Sequence, residues 1–267
     1  MTSSPCLVLL HGINYRPPAE HWLEALNEGL RQYGARPYAR EQVVAPNLSD
    51  ALRRPKSDIE VPVTWVAPSA EATAAYRERQ RACSELLAPL SSGKPPWWSP
   101  GWRAMDTLAH AAIDLPLRLP LLEDLSEAAA FRNNAYVRHA VLSEITALLP
   151  RDGKVILVGF SLGSSFALHL MRRLPPGVHV AALITLASPC GMSHFGDEDL
   201  RAVGLPYDRV DNWINIYDPS DHVIGFSGVS HRFPDALDVP VPHCRHDLGP
   251  LLRTPAMAAA IEWAQQP

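Results

Sequence analysis

The sequence predicts an α/β protein with a mostly parallel central sheet, helices on both faces and an inserted cap. Short apolar runs of strand length alternate with stretches whose apolar residues recur at helical spacing, as in sheets built from successive strand–helix units. Those runs are apolar almost throughout, as strands covered on both faces are. Between residues 67 and 130 the rhythm gives way to a stretch rich in proline and tryptophan, which marks the insertion. Residues 1–66 and 131–267 are therefore assigned to one core, and 67–130 to a cap over the carboxyl edge of its sheet.

The elements follow in chain order. Cys6–Leu10 reads as a short buried strand that ends in a glycine turn. Pro17 and Pro18 open a helix in which Trp22, Leu23, Leu26, Leu30 and Tyr33 share a face, and Gly34 stops it. Gln42–Ala45 and Val61–Val66 are further strand candidates, each bounded by proline. Within the insertion, Tyr76, Gln80, Cys83, Leu87 and Leu90 suggest one helix. Arg103 to about Ile113 suggests another, and Pro116 and Pro120 prevent a regular helix beyond it. Asn133 or Asn134 then caps a helix with Val137, Val141, Ile145 and Leu148 on one face. After the Asp152-Gly153 turn, Lys154–Val158 is a strand, and a helix runs from Ser161 to Leu174. Val180–Leu186, Trp213–Tyr217 and the shorter Val239–Val241 are strands, and Pro255–Gln265 is a closing helix.

Composition excludes several function classes. The 267 residues are 47% hydrophobic, so a sizeable core is available and wholesale disorder is ruled out. The net charge of −4, with no basic run, lacks the footprint of a nucleic-acid binder. Nothing approaches the ~18 consecutive apolar residues of a membrane span, and no basic segment precedes the short apolar run at Cys6–Leu10. Cys6, Cys83, Cys190 and Cys244 are scattered without metal-ligand or framework spacing, which points to a reducing, cytoplasmic compartment and to no metal.

One motif carries chemistry. Gly159-Phe160-Ser161-Leu162-Gly163 fits G-x-S-x-G, and it follows a strand and opens an apolar-faced helix. That context lifts a serine hydroxyl into a cleft on a strained turn, with the helix N-terminus aimed at a developing oxyanion. The bland alternative is a serine N-cap between turn glycines. A serine needs a histidine to take its proton, and the histidine needs an acid to fix its tautomer. In this architecture the acid and then the histidine follow the serine along the chain. Asp218 and Asp221 compete for the acid just past the strand Trp213–Tyr217, and Asp221 is favoured because Val223 and Ile224 anchor its loop. His246 is favoured as base over His243, being nearer the closing helix, and His222 points elsewhere. Backbone N–H groups of Ile13 and Leu162 are the expected oxyanion donors. His11 orders the first glycine turn or contacts substrate.

Taken together, LVLLHG at 7–12, VGFSLG at 158–163, LASP at 186–189, YDPSDHV at 217–223 and a late histidine resemble the α/β-hydrolase superfamily. Within it the chain is most similar to bacterial lipase and esterase-like proteins related to GPI-inositol deacylases. HGIN, the helix HWLEALNEGL and LASPCG match that group in order, and the resemblance spans roughly 5–50 and 133–265. It implies an α/β-hydrolase fold with Ser161 as nucleophile, Asp221 as acid, His246 as base and donors around Ile13 and Leu162. It also implies a cofactor-free serine hydrolase acting on carboxylic esters. Residues 67–130 match nothing in that group, and His246 is followed by Asp-Leu-Gly rather than an aromatic. In the insertion Trp97, Trp98 and Trp102 are candidates to line an acyl pocket, to pack the cap, or to touch a lipid surface. The expected partner is a small-molecule or lipid ester.

Overall fold

The structure, a computed structural model, describes residues 5–12, 19–53, 55, 61–91, 122–192, 204–225 and 227–266. Six strands form one parallel sheet: β1 (Cys6–Leu10), β2 (Val43–Val44), β3 (Asp152–Phe160), β4 (Gly177–Leu186), β5 (Trp213–Tyr217) and β6 (Leu237–Pro240). Their order across the sheet is β2-β1-β3-β4-β5-β6, and every pair is parallel. The described helices are α1 (Ala19–Gln32), α2 (Ser49–Arg53), α3 (Ala70–Leu87), α4 (Leu122–Asn133), α5 (Ala135–Leu148), α6 (Leu162–Met171), α7 (Leu248–Leu252) and α8 (Pro255–Ala264).

Strand periodicity divides the core in two. Successive side chains point to opposite faces. Leu7, Leu9, Ile156, Val158, Ile214 and Ile216 pack with α1, α7 and α8. Val8, Leu10, Val155 and Leu157 pack with α2, α5 and α6 on the other side. Both faces are therefore covered, which is why these strands read as unbroken apolar runs. At β4 the register slips by one residue opposite Val155 and Ile156.

Local chemistry sets most of the helix ends. Gly34, at φ +77°, ends α1, and the Ala35 N–H closes back on the Leu30 carbonyl at 2.8 Å. Of the two asparagines, Asn134 caps α5, its Oδ1 accepting from the N–H of Tyr136 at 2.9 Å. Thr254 caps α8 ahead of Pro255 at the first helical position, where a missing N–H costs nothing.

Val61–Val66 is not a strand. Pro62 offers no N–H to a ladder, and the N–H groups of Thr64 and Trp65 both donate to the Arg172 carbonyl, at 2.9 and 3.1 Å. The short helices α2 and α7, and α4 ahead of α5, were not anticipated; five residues are too few to display a helical period. Helix α3, within the 67–130 interval, meets the amino end of β5. Gln80 donates to the Trp213 and Asp235 carbonyls at 2.6 and 3.0 Å, and accepts from Asn212 Nδ2 at 2.8 Å. The tract holding Trp97, Trp98 and Trp102, and the helix expected from Arg103, lie outside the described residues. Among the described residues, no helix is long and apolar enough to cross a membrane.

A buried polar chain ties β4, β5 and β6 together. The Trp213 indole donates to Thr185 Oγ1, which donates to Asn215 Oδ1, at 3.0 and 2.8 Å. Asn215 Nδ2 in turn donates to Asp238 at 2.7 Å. Each buried polar group is thereby satisfied, and β5 is held in register where it delivers its carboxyl end.

Candidate active site

The candidate residues meet at the carboxyl ends of the strands. Ser161 follows β3 directly and stands before α6, with φ 51° and ψ −124°. A residue with a side chain avoids that backbone region, and persists there only when its surroundings over-determine it. Here the Ser161 N–H donates to the Leu186 carbonyl at 3.0 Å, and the Ser161 carbonyl accepts from the Ser164 N–H at 2.9 Å. Ser164 Oγ closes the turn on the Gly159 carbonyl at 3.0 Å. The flanking glycines answer to close approach. A Cβ on Gly159 would stand 2.7 Å from the Gly163 carbonyl oxygen, and one on Gly163 would run into the Leu10 carbonyl.

A hydrogen-bonded chain leads away from the serine. Ser161 Oγ lies 3.0 Å from His246 Nε2, and His246 Nδ1 lies 2.7 Å from Asp221 Oδ2. With the proton on Nδ1 donating to the carboxylate, Nε2 is left to accept from the hydroxyl. Asp221 is fully buried, and its other oxygen accepts from the Val223 N–H at 2.9 Å. The imidazole retains about a fifth of its exposure and lies against Phe160, ring centroids 5.2 Å apart. His222 and His243 are exposed.

The two aspartates are divided by their partners. Asp218 is buried and does not meet His246. Its Oδ1 accepts from the Ser220 N–H and hydroxyl at 2.7 and 2.8 Å, and its Oδ2 from the N–H groups of Cys244 and Arg245, both at 2.7 Å. Burial alone would raise its pKa, but the donors from Arg245, Ser220 and Cys244 outweigh burial and hold it below the ordinary carboxylate value. Sequence reasoning placed Asp218 at the strand end but could not foresee its bonds to residues 26 and 27 positions away.

Beside the serine, a Cβ on Gly12 would stand 2.9 Å from Ser161 Cβ and 3.4 Å from its Oγ, so Gly12, two residues past the first strand, borders the hydroxyl. The Leu162 N–H is the first of α6 and has no intrahelical acceptor, as at any helix start. Ile13 lies outside the described residues. His11 is buried, with its Nδ1 donating to the Gly12 carbonyl at 2.8 Å. Burial lowers its pKa, against the pull of the Gly12 and Pro46 carbonyls and of Glu127.

Chemically, this arrangement can pass a proton from a hydroxyl to an imidazole whose tautomer a buried carboxylate fixes. Among the described residues, no three His, Cys, Asp or Glu side chains gather to hold a metal ion. No protein-family model matches the chain, and no curated protein is significantly similar to it.

Proposed function

We propose that this chain is a serine hydrolase of carboxylic esters, built on the α/β-hydrolase plan that its motifs resemble. The observation that carries the reading is the chain from Ser161 Oγ to His246 Nε2 at 3.0 Å and from His246 Nδ1 to Asp221 Oδ2 at 2.7 Å. It begins at a backbone-strained serine at a helix start. In this reading Ser161 attacks the ester carbonyl as His246 takes the hydroxyl proton, and the imidazolium returns that proton to the departing alkoxide. Asp221 keeps Nδ1 protonated and stabilises the charge that forms on the ring. The tetrahedral oxyanion forms beside the Leu162 N–H, and the sequence assigns its second donor to the N–H of Ile13. Water, activated by the same histidine, then hydrolyses the acyl-enzyme. The steps use no cofactor.

The lipid version of the reading rests on Trp97, Trp98 and Trp102, whose apolar bulk favours a long acyl chain or contact with a lipid surface. The cytoplasmic assignment rests on the cysteines, which are unbridged among the described residues.

Covalent labelling with a fluorophosphonate tests the main reading. Wild-type protein is expected to label, and Ser161→Ala and His246→Ala to lose it. Labelling or ester turnover that survives Ser161→Ala overturns the proposal. A series of p-nitrophenyl esters then separates the two substrate classes: rates that do not rise with chain length or on vesicles remove the lipid version.

A further inference from the structure

We infer that Asp218 is a positioning residue, which fixes the meeting of Ser161 and His246 by tying together the loops that carry Asp221 and His246. The inference rests on the serine-hydrolase reading for its purpose, but not for its geometry.

Each oxygen of the Asp218 carboxylate serves one loop. Oδ1 takes both donors of Ser220, inside the turn that the Asp221 N–H closes on the Asp218 carbonyl at 3.0 Å. Oδ2 takes the consecutive N–H groups of Cys244 and Arg245, immediately before His246. That second loop is not relaxed by itself. His243 and Arg245 have φ of 66° and 51°, in the left-handed region that side chains avoid. Such a conformation needs an outside partner to hold it. A buried carboxylate accepting both N–H groups at 2.7 Å is that partner. These charge-assisted bonds are stronger than neutral ones, and the two donors on each oxygen take up the roughly four acceptor sites of a carboxylate. Asp218 therefore has no capacity left to orient an imidazole. It sets where Asp221 and His246 stand relative to one another, and through His246 the approach of Nε2 to Ser161 Oγ.

An asparagine in its place cannot serve both loops. Its amide nitrogen would face either the Ser220 donors or the Cys244 and Arg245 N–H groups, donor against donor. A displacement of an ångström in a proton-transfer geometry costs on the order of 10²-fold in rate.

The experiment compares Asp218→Asn with wild type and with Thr254→Ala, which removes a helix cap whose bonds, to Leu251 and Met257, lie outside both loops, and which controls for lost stability. Two readouts are taken: the rate of fluorophosphonate labelling, and the downfield proton resonance of His246 Nδ1, identified by its loss in His246→Gln. Asp218→Asn is expected to label on the order of 10²-fold more slowly and to shift or broaden that resonance. Thr254→Ala should keep both at wild-type values. An Asp218→Asn protein with wild-type labelling and an unchanged resonance overturns the inference, as does an equal loss in Thr254→Ala. If Asp218→Asn does not fold, Ser220→Ala removes only one donor from Oδ1. It should slow labelling several-fold and move the same resonance, and no change in either overturns the inference. Should wild type not label at all while the resonance still moves in Asp218→Asn, positioning stands and the hydrolase reading falls.

Discussion

Replacing Ser161 by glycine and by alanine separates the strain of its backbone from the bond of its hydroxyl. At φ 51° and ψ −124° a residue with a Cβ occupies sparsely populated space, at a cost of about 1–3 kcal/mol. Glycine at this position removes that cost, but it also frees the unfolded chain by about 0.4–1 kcal/mol. Both variants lose the 3.0 Å bond to His246 Nε2. The ring is partly exposed, so water replaces the hydroxyl equally in each, and the loss cancels between them. Glycine should therefore make the protein about 0.5–2 kcal/mol more stable than alanine does, or a few degrees in Tm for a chain of this size. This reverses the usual order of the two residues. Urea unfolding at neutral pH measures it directly, provided that the m-values agree. An alanine variant as stable as the glycine variant, or more so, would refute the argument that the turn stores strain. Neither variant should label with a fluorophosphonate, so stability and labelling part company at this residue.

Other perturbations test the surroundings. Gln80→Leu strips partners from the Trp213 and Asp235 carbonyls and should destabilise the fold by about 1–3 kcal/mol. Because Trp213 is the first residue of β5, far along the strand from the serine, labelling of the folded variant should stay at the wild-type rate. The depressed pKa of Asp218 gives stability a definite dependence on pH. A carboxyl whose folded value is lowered contributes fully above its unfolded value and loses that contribution as pH falls through the folded one. The urea midpoints of wild type and Asp218→Asn should thus differ most near neutrality and converge below about pH 4; a gap that is constant with pH contradicts this. Burial pushes the Cys83 thiol up to about 12, and burial together with Asp218 and Asp247 pushes the Cys244 thiol up to about 11. Neither should react with a disulfide reagent at pH 8 in the native protein, and both should react in guanidinium.

How much of this was legible in the sequence depended on the range of the interaction. Local chemistry declared itself: Gly34 as a helix stop, a cap at Asn133 or Asn134, and Gly159 and Gly163 around Ser161 each act within a few residues of their own position. Apolar runs located β1, β3, β4 and β5 because strands buried on both faces have little freedom in composition. The run at Val61–Val66 misled for the same reason, since composition does not report whether a neighbour with free donors and acceptors stands alongside. Asp221 is favoured over Asp218 for the apolar Val223 and Ile224 that follow it, and His246 over His243 for lying nearer the closing helix. The physical division between the aspartates lay in bonds from Asp218 to Cys244 and Arg245, a contact across the sheet edge that no local pattern encodes. Gln80 was read as part of a helical face; that it substitutes for a strand partner of Trp213 follows only from the packing of α3.

The distribution of strain bears on why the residues meet where they do. Among the described residues, the non-glycine positions with positive φ are Ser161, Ala187, His243 and Arg245. Ser161 and Ala187 come directly after β3 and β4, and the other two follow β6 at its carboxyl side. They are tied to one another by the framework. The Ser161 N–H reaches the last residue of β4, and the Ala187 N–H reaches Ile216 of β5, each at 3.0 Å. Asp218, one residue past β5, holds the N–H of Arg245. A parallel sheet delivers adjacent chain ends to one edge, so unfavourable backbone at one position can be held by the next strand's carbonyl or carboxylate. Strain gathered at one edge, and balanced strand by strand, is the pattern expected where geometry must be fixed before a ligand arrives. All four of these residues lie on the carboxyl side of their strands, which the proposed role of Ser161 as nucleophile accounts for and a serine that merely caps a helix does not require.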